Sequence, residues 1–152
     1  MKIVLTTVKN ANVKVDEKII SSIQEGFLIL VGFTDGDNEY IVDKMVDKVL
    51  SLRVFPDDHG LINRSIYDVD GDIMSVSQFT LYADASKGRR PSFVNALNPK
   101  DAEVLYDYFN NQLEHKYQKH ISTGIFGADM LVTSENNGPF TIILDSEDIV
   151  RE

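Results

Sequence analysis

The alternation of apolar and polar positions predicts a chain rich in β-strands. The run GFLILVGF, Gly26–Phe33, is almost continuously apolar and is followed by the polar TDGDN, as is typical of a buried strand. We expect it to end a β-meander that starts at the N-terminus. The longest predicted strand is DIMSVSQFTLYA, Asp72–Ala83, and the segments 121–136 and 138–146 supply the last two.

Two segments instead carry apolar residues at helical spacing. The first runs from Asp37, the candidate N-cap, to about Ser51, and its apolar positions are Ile41, Val42, Met45, Val46, Val49 and Leu50. The second begins with Asn98 as N-cap and Pro99 at the first helical position. Its predicted buried stripe is Val104, Leu105, Tyr108, Phe109 and Leu113. Six to eight strands with two main helices indicate an α+β domain with a mainly antiparallel sheet.

Composition narrows the class of protein. The 152 residues are 43% hydrophobic and 26% charged, which suits a single globular domain over 1–152. No apolar run approaches the ~20 residues that span a bilayer, and no signal peptide is visible, so we expect a cytoplasmic protein without a membrane partner. A net charge of −9 argues against non-specific DNA binding. Without cysteine, and with three scattered histidines, the sequence indicates no metal and no cofactor.

The predicted strand SVSQFTLYAD carries polar groups on both faces. Alternation places Ser75, Ser77 and Phe79 on one face, and Val76, Gln78, Thr80 and Tyr82 on the other. Such polar groups either satisfy nearby backbone groups or contact a ligand, and the stretch alone does not separate these interpretations. No histidine or carboxylate is visibly linked to Thr80, so the sequence shows no nucleophile paired with a base.

Two loop features each have an ordinary and a functional interpretation. SKGRRPSF contains Lys87, Arg89 and Arg90, the densest basic cluster of an acidic chain. It is either a solvated loop or a local contact for nucleic-acid phosphates. In NGPFT, Pro139 follows Gly138 at the head of a predicted strand. This pair is either a plain turn or a backbone feature placed for function.

Four blocks together resemble a known family. SQFTLYAD (77–84), KGRRPSF (87–93), TGIFGADM (123–130) and NGPFT (137–141) occur in the order and at the spacing of the D-aminoacyl-tRNA deacylases. The resemblance covers nearly the whole chain. It implies a homodimer, with sheets packing across the dimer, that hydrolyses the ester between a D-amino acid and the 3′-terminal adenosine of tRNA. Mischarged glycyl-tRNA is a second substrate under this hypothesis.

The resemblance also assigns roles to residues. Ser77, Gln78, Phe79 and Thr80 form the catalytic segment, and Gly138-Pro139 corresponds to the Gly-cisPro pair that excludes L side chains from the neighbouring subunit's site. The implied substrate and tRNA contacts are Lys87, Arg89, Arg90, Phe126, Met130 and Asn137. The implied mechanism uses the terminal ribose 2′-OH and backbone N–H groups near Phe79 and Thr80. Two alternatives remain: Thr80 as nucleophile, and a non-catalytic module that binds the tRNA acceptor end.

The sequence departs from the family pattern at two positions that bear on the Gly-Pro pair, one near the N-terminus and one directly after the proline. Thr7 stands where the family usually has an arginine that helps to hold this loop, and Phe140 replaces a small aliphatic residue after the proline. GLINRS also replaces the common GKMN type of segment. Thr7 therefore raises the question of how the loop is supported.

Overall fold

The computed structural model describes residues 1–150, which form one mixed sheet, a small hairpin and the helices that pack on them. The strands in this range are Lys2–Val15 (β1), Lys18–Ile23 (β2), Gly26–Gly32 (β3), Arg53–Pro56 (β4), Ile62–Ser65 (β5), Asp72–Ser77 (β6), Ile121–Thr123 (β7) and Leu131–Asp145 (β8). The α-helices are Glu39–Ser51 (α1), Pro99–Tyr117 (α2) and Ser146–Ile149 (α3), and a 3₁₀ helix spans Phe79–Tyr82. The α+β class predicted from the sequence is confirmed.

Strand β1 is the centre of the main sheet. It pairs antiparallel with β8 along one edge, and with β3 and then β2 along the other. The expected meander order is therefore wrong, because β3 pairs with β1 and not with β2. Strands β6 and β7 extend the sheet from β3 by parallel pairing, while β4 and β5 form a separate antiparallel hairpin. Antiparallel pairs still predominate, as expected.

Successive residues of β3 point to opposite faces of the sheet, and both faces are apolar. Phe27 and Ile29 are fully buried in a cluster with Val46 and Phe109 of helices α1 and α2. Burial of each such side chain contributes about 1.5–3 kcal/mol. Leu28 belongs to a second cluster on the other face, with Val8, Val13, Ile23, Met74 and Val76. The main helices therefore cover one face, and the second face carries a core of its own.

The helix limits agree with the sequence patterns apart from one detail. Helix α1 is capped by Asn38, which accepts from the Ile41 amide, and not by Asp37. Asp37 instead accepts from the Thr34 amide at 2.8 Å. Asn98 and Pro99 begin α2 as expected. No helix within residues 1–150 is both long enough and apolar enough to cross a membrane.

The predicted stripe of α2 is only partly correct. Phe109 and Leu113 are fully buried, but Val104 is 63% exposed. Leu105 and Tyr108 pack at the margin of the core, and the other buried positions are Ala102, Tyr106 and Tyr117. The helix presents its tyrosines to the core because their hydroxyls find backbone acceptors there, at Ser75 for Tyr106 and at Ile66 and Gly71 for Tyr117.

Two strand predictions are corrected by the structure. Strand β6 ends at Ser77, and the following residues turn into the 3₁₀ helix, closed by the bond from the Leu81 amide to the Gln78 carbonyl. The alternation expected beyond Ser77 therefore does not exist. At the other end of the chain, the two predicted strands are largely one strand, β8, because β1 is long enough to pair with both halves. Pro139 lies within β8 and does not begin it.

Candidate active site

A cavity of about 580 Å³ opens where β3 and β6 end. Its walls come from four stretches that are distant in the chain: the end of β3, the β6–3₁₀ junction, the segment leading into α2, and the loop before β8. Ser77, Gln78 and Phe79 line it, as do Phe126 and Met130. The fold thus brings together five of the residues that the sequence nominated.

No titratable side chain lines this cavity in the described part of the chain. Its polar side chains are those of Ser77, Gln78 and Asn98, and its other walls are mainly aromatic and aliphatic. The three histidines are not among the lining residues, and neither is any aspartate or glutamate. An ester held here meets hydroxyl, amide and backbone groups but no side chain that could serve as a general base at neutral pH.

Thr80 lies beside the cavity on the 3₁₀ helix, with its side chain exposed. Its hydroxyl oxygen accepts a hydrogen bond from the side-chain amide of Gln78. An amide N–H donor cannot remove the hydroxyl proton, so this contact orients Thr80 without activating it as a nucleophile. The hydrogen bonds of the turn begin with the Leu81 amide. The N–H groups of Phe79 and Thr80 come before this first bonded amide. They occupy the positions at which the amides of a helix start have no partner within the helix.

Two aromatic rings meet at the edge of the cavity. Phe79 and Phe93 pack edge to face with their ring centroids 5.1 Å apart, and both are substantially exposed. Phe93 was not nominated from the sequence, although it closes the basic block KGRRPSF. The start of α2 was missed in the same way, since Asn98 and Pro99 have a sufficient local explanation as helix cap and first residue. Only the tertiary structure shows that they also line the cavity.

The wall formed by Phe126 is supported from behind by Tyr106 of α2. The two ring centroids lie 5.9 Å apart, and the Tyr106 hydroxyl donates to the Ser75 carbonyl at 2.7 Å. Burial raises the pKa of Tyr106, so this hydroxyl stays protonated and remains a donor. Gly124 lets Met130 approach, because a Cβ at this position would collide with the Met130 sulfur. The aromatic wall is therefore held by the core.

The basic block forms an exposed loop outside the cavity. Asp84 and Ser92 close its base through two backbone hydrogen bonds of 2.8 Å each. Between them, Lys87, Arg89 and Arg90 are exposed and form no ion pair with another residue in 1–150. The loop starts at the end of the 3₁₀ helix and leads back to Phe93. Three positively charged side chains without an ion-pair partner in 1–150 therefore lie next to the cavity mouth.

Gly138 and Pro139 are exposed and do not line the cavity of their own chain. The bond between them is cis, as the resemblance implies. They belong to a four-residue bulge, 137–140, because β1 pairs through Thr6 with Thr141 and through Val8 with Asn136, which leaves Thr7 alone opposite it. The Thr7 hydroxyl donates to the Asn137 carbonyl at 2.9 Å.

The comparisons with known proteins agree with this arrangement. The model of the family described as D-Tyr-tRNA(Tyr) deacylase matches residues 4–145. The chain belongs to this family. Relatives named D-aminoacyl-tRNA deacylase support the assignment to the D-Tyr-tRNA(Tyr) deacylase family. The protein from Lactobacillus gasseri is 48% identical over 145 residues, 95% of this chain and 99% of the relative. That from Flavobacterium psychrophilum is 47% identical over 147 residues, 97% and 98% of the two chains.

Solved structures show the same fold. One described as c-Myc DNA Unwinding Element Binding Protein has a TM-score of 0.90 and 39% identity, covering 95% of this chain and 98% of that one. A second, described as a probable eukaryotic D-amino acid tRNA deacylase, has a TM-score of 0.82 at 19% identity, over 94% and 97% of the two chains. The two solved structures thus share the fold of this chain over 94–95% of its length.

Proposed function

We propose that this protein hydrolyses the ester of D-aminoacyl-tRNA, releasing the D-amino acid and free tRNA, and that it acts in the cytoplasm. Family membership supports the reaction class. The observation that carries the mechanism is the cavity itself, whose side chains include no titratable group. Because no side chain that lines the cavity can act as a general base, we assign the activation of water to a group of the substrate.

The group that the substrate brings is the 2′-OH of the terminal ribose. It lies next to the 3′-ester and can position or activate the attacking water without a protein base. The N–H groups of Phe79 and Thr80 are the donors for the oxyanion that develops on the ester carbonyl. Gln78 keeps the Thr80 hydroxyl oriented by donating to it, so Thr80 has a supporting part in this scheme.

Chirality is selected by backbone groups of Gly138 and Pro139. Main-chain atoms cannot rotate away as a side chain does, so a wall made from them excludes an L side chain and leaves room for a D side chain or for the hydrogen of glycine. Rejection of this kind makes no contact with the cognate side chain, so many D-amino acids, and glycine on a mischarged tRNA, are accepted.

The active form is a homodimer. Gly138 and Pro139 are exposed and do not line the cavity of their own chain, and in the proposed dimer each subunit contributes them to the site of its partner. The sheet offers a surface for this association on the face opposite α1 and α2. Val4 pairs with Leu30 on one side and with Ile143 on the other, which makes an apolar row across three strands. Ile143 is 72% exposed, and covering such a row is a normal driving force for association.

The tRNA end is held at the cavity mouth. Lys87, Arg89 and Arg90 contact phosphates of the acceptor end, which reconciles a nucleic-acid substrate with a net charge of −9. The exposed rings of Phe79 and Phe93 offer an apolar surface to the terminal base. Phe126, Met130 and Asn137 complete the proposed substrate contacts, the last of them through the bulge of the partner subunit.

The deciding experiment is a turnover assay. Purified protein is incubated with D-Tyr-tRNA, L-Tyr-tRNA and the D-substrate ending in 2′-deoxyadenosine. We expect rapid multiple turnover on the first, little on the second and a large loss on the third. Binding of tRNA without release of D-tyrosine would contradict the hydrolytic function and favour the acceptor-end binding module. Full activity on the deoxy substrate would contradict the role of the 2′-OH.

A further inference from the structure

Thr7 is the residue of β1 that faces the bulge 137–140, and it is 5% exposed. Its hydroxyl donates to the Asn137 carbonyl at 2.9 Å, across 130 residues of sequence. Asn137 is itself exposed. A buried donor on the central strand therefore holds the backbone carbonyl of an exposed residue, immediately before Gly138.

The other end of the bulge has a second attachment. Phe140 is half-buried and packs against the main hydrophobic core, while Gly138 and Pro139 are exposed. The Gly138–Pro139 dipeptide is thus held on one side by the hydrogen bond to the Asn137 carbonyl and on the other by the packing of Phe140 against the core. Its backbone also passes close to Phe140, since a Cβ on Gly138 would lie 3.0 Å from the Phe140 nitrogen.

We propose that Thr7 is a positioning residue for chirality selection: its hydroxyl, acting with the Phe140 anchor, fixes where the Gly138–Pro139 backbone stands. Thr7 touches no substrate and acts only through the Asn137 carbonyl. A short hydroxyl reaches this carbonyl directly from the strand, because the bulge lies against β1. This inference rests on the proposed function, and it concerns the discrimination between D and L substrates more than the hydrolysis itself.

The neighbouring threonine provides a matched control. The Thr6 hydroxyl is also buried on β1, and it meets the Thr141 hydroxyl at 3.3 Å, just outside the bulge. Thr6→Val and Thr7→Val each remove one hydroxyl from the same strand at nearly constant side-chain shape. Only Thr7→Val releases the bulge. Thr7→Ser retains the donor and tests for rescue.

The test measures kcat and KM for D-Tyr-tRNA, L-Tyr-tRNA and Gly-tRNA with wild type, Thr6→Val, Thr7→Val and Thr7→Ser. A net hydrogen bond corresponds to a factor of about two to ten, so the D-over-L ratio of kcat/KM should fall by about this factor in Thr7→Val alone. Cleavage of L-Tyr-tRNA should rise, while Gly-tRNA, which has no side chain to exclude, should change least. Thr7→Ser should restore the ratio.

A second measurement applies to all variants. Amide hydrogen exchange should be faster at Gly138 and Phe140 in Thr7→Val than in Thr6→Val. An unchanged D-over-L ratio in Thr7→Val, or an equal fall of this ratio in Thr6→Val, would overturn the inference. The proposed function would still stand if the wild type released D-tyrosine. If Thr7→Val does not fold, equal exchange of the bulge in wild type and Thr7→Ala would overturn it instead. A wild type that released no D-tyrosine would overturn the proposed function first, and the inference with it.

Discussion

The side-chain amide of Gln78 donates a hydrogen bond to the hydroxyl of Thr80, two residues further along the chain. This contact favours a supporting role for Thr80 over a nucleophilic one. A nucleophilic hydroxyl needs an acceptor for its proton, but the side-chain amide of Gln78 is a donor in this contact. Thr80 is therefore suited to shaping the turn that presents the Phe79 and Thr80 amides.

We expect Thr80→Ala to lower the single-turnover rate on D-Tyr-tRNA by no more than about tenfold, because Thr80 has only a supporting role. Loss of a nucleophile would instead lower this rate by several powers of ten. Thr80→Ser, which retains the hydroxyl, is the matched control and should stay near wild type. The rate is measured by rapid quench with enzyme in excess. Near-abolition in Thr80→Ala, combined with full wild-type activity on the 2′-deoxy substrate, would establish Thr80 as the nucleophile.

The basic loop can be tested through the salt dependence of tRNA binding. Replacing Lys87, Arg89 and Arg90 together by alanine should weaken binding and flatten the plot of log affinity against log salt, by about 0.7–0.9 for each lost phosphate contact. The single-turnover rate at saturation should change little, because the loop does not line the cavity.

The control for the basic loop removes three exposed positive charges elsewhere, at Lys9, Lys18 and Lys48. It makes the same change in net charge and should leave the slope close to that of wild type. Equal slopes for the two triple variants would show that the loop is only a solvated surface.

Gly138 adopts a φ of +122°, and a Cβ there would lie 3.0 Å from the Phe140 nitrogen and 3.3 Å from its Cβ. Gly138→Ala should therefore shift the bulge and lower kcat/KM for D-Tyr-tRNA by more than tenfold, with a stability loss of about 1–3 kcal/mol. Gly36→Ala is the control: its φ is +91°, but nothing lies within 4 Å of the added Cβ.

Both glycine variants should lose stability in thermal unfolding, because both place alanine at a positive φ. Only Gly138→Ala should lose activity beyond the fraction of protein that is folded. Retention of wild-type kcat/KM by folded Gly138→Ala would remove this residue from the site.

The hydroxyl of Tyr117 is buried and lies within hydrogen-bond distance of the Ile66 and Gly71 carbonyls. Tyr117→Phe should lower the free energy of unfolding by about 0.5–1.5 kcal/mol, since a buried hydrogen bond is lost. The Ile66 carbonyl still accepts from the Gly71 amide, and the Gly71 carbonyl from the Lys119 ammonium, so neither acceptor is left without a donor. The control is Tyr67→Phe: this tyrosine packs edge to face on Tyr117 but is 50% exposed and donates at 3.2 Å to the Lys116 carbonyl.

Urea denaturation of these two variants gives the comparison, and Tyr67→Phe should remain within about 0.5 kcal/mol of wild type. Activity of folded Tyr117→Phe should be unchanged, because Tyr117 is not among the residues that line the cavity. Equal stability of the two variants would show that the buried hydroxyl of Tyr117 contributes no more to stability than the exposed hydroxyl of Tyr67.

Features that depend on neighbours in the chain were predictable from the sequence. Asn98 caps α2 through the Asp101 amide, and Pro99 fits its first turn, so the start of this helix follows from four residues. The apolar run of β3 likewise reports burial on both faces. The resemblance to the family rested on the order and spacing of four short blocks, which can be read directly along the chain.

Other features depend on contacts between distant residues, and the tertiary structure alone decided them. Residues 78–82 have the composition of a strand, but the end of pairing at Ser77 lets the chain turn into the 3₁₀ helix. Val104 has helical spacing, yet it is 63% exposed, because the helix turns Phe109 and Leu113 toward the core instead. The support of the bulge is set by Thr7, 130 residues from Asn137: a short hydroxyl serves there because register places the two strands side by side, and register is a property of the pair and not of either segment.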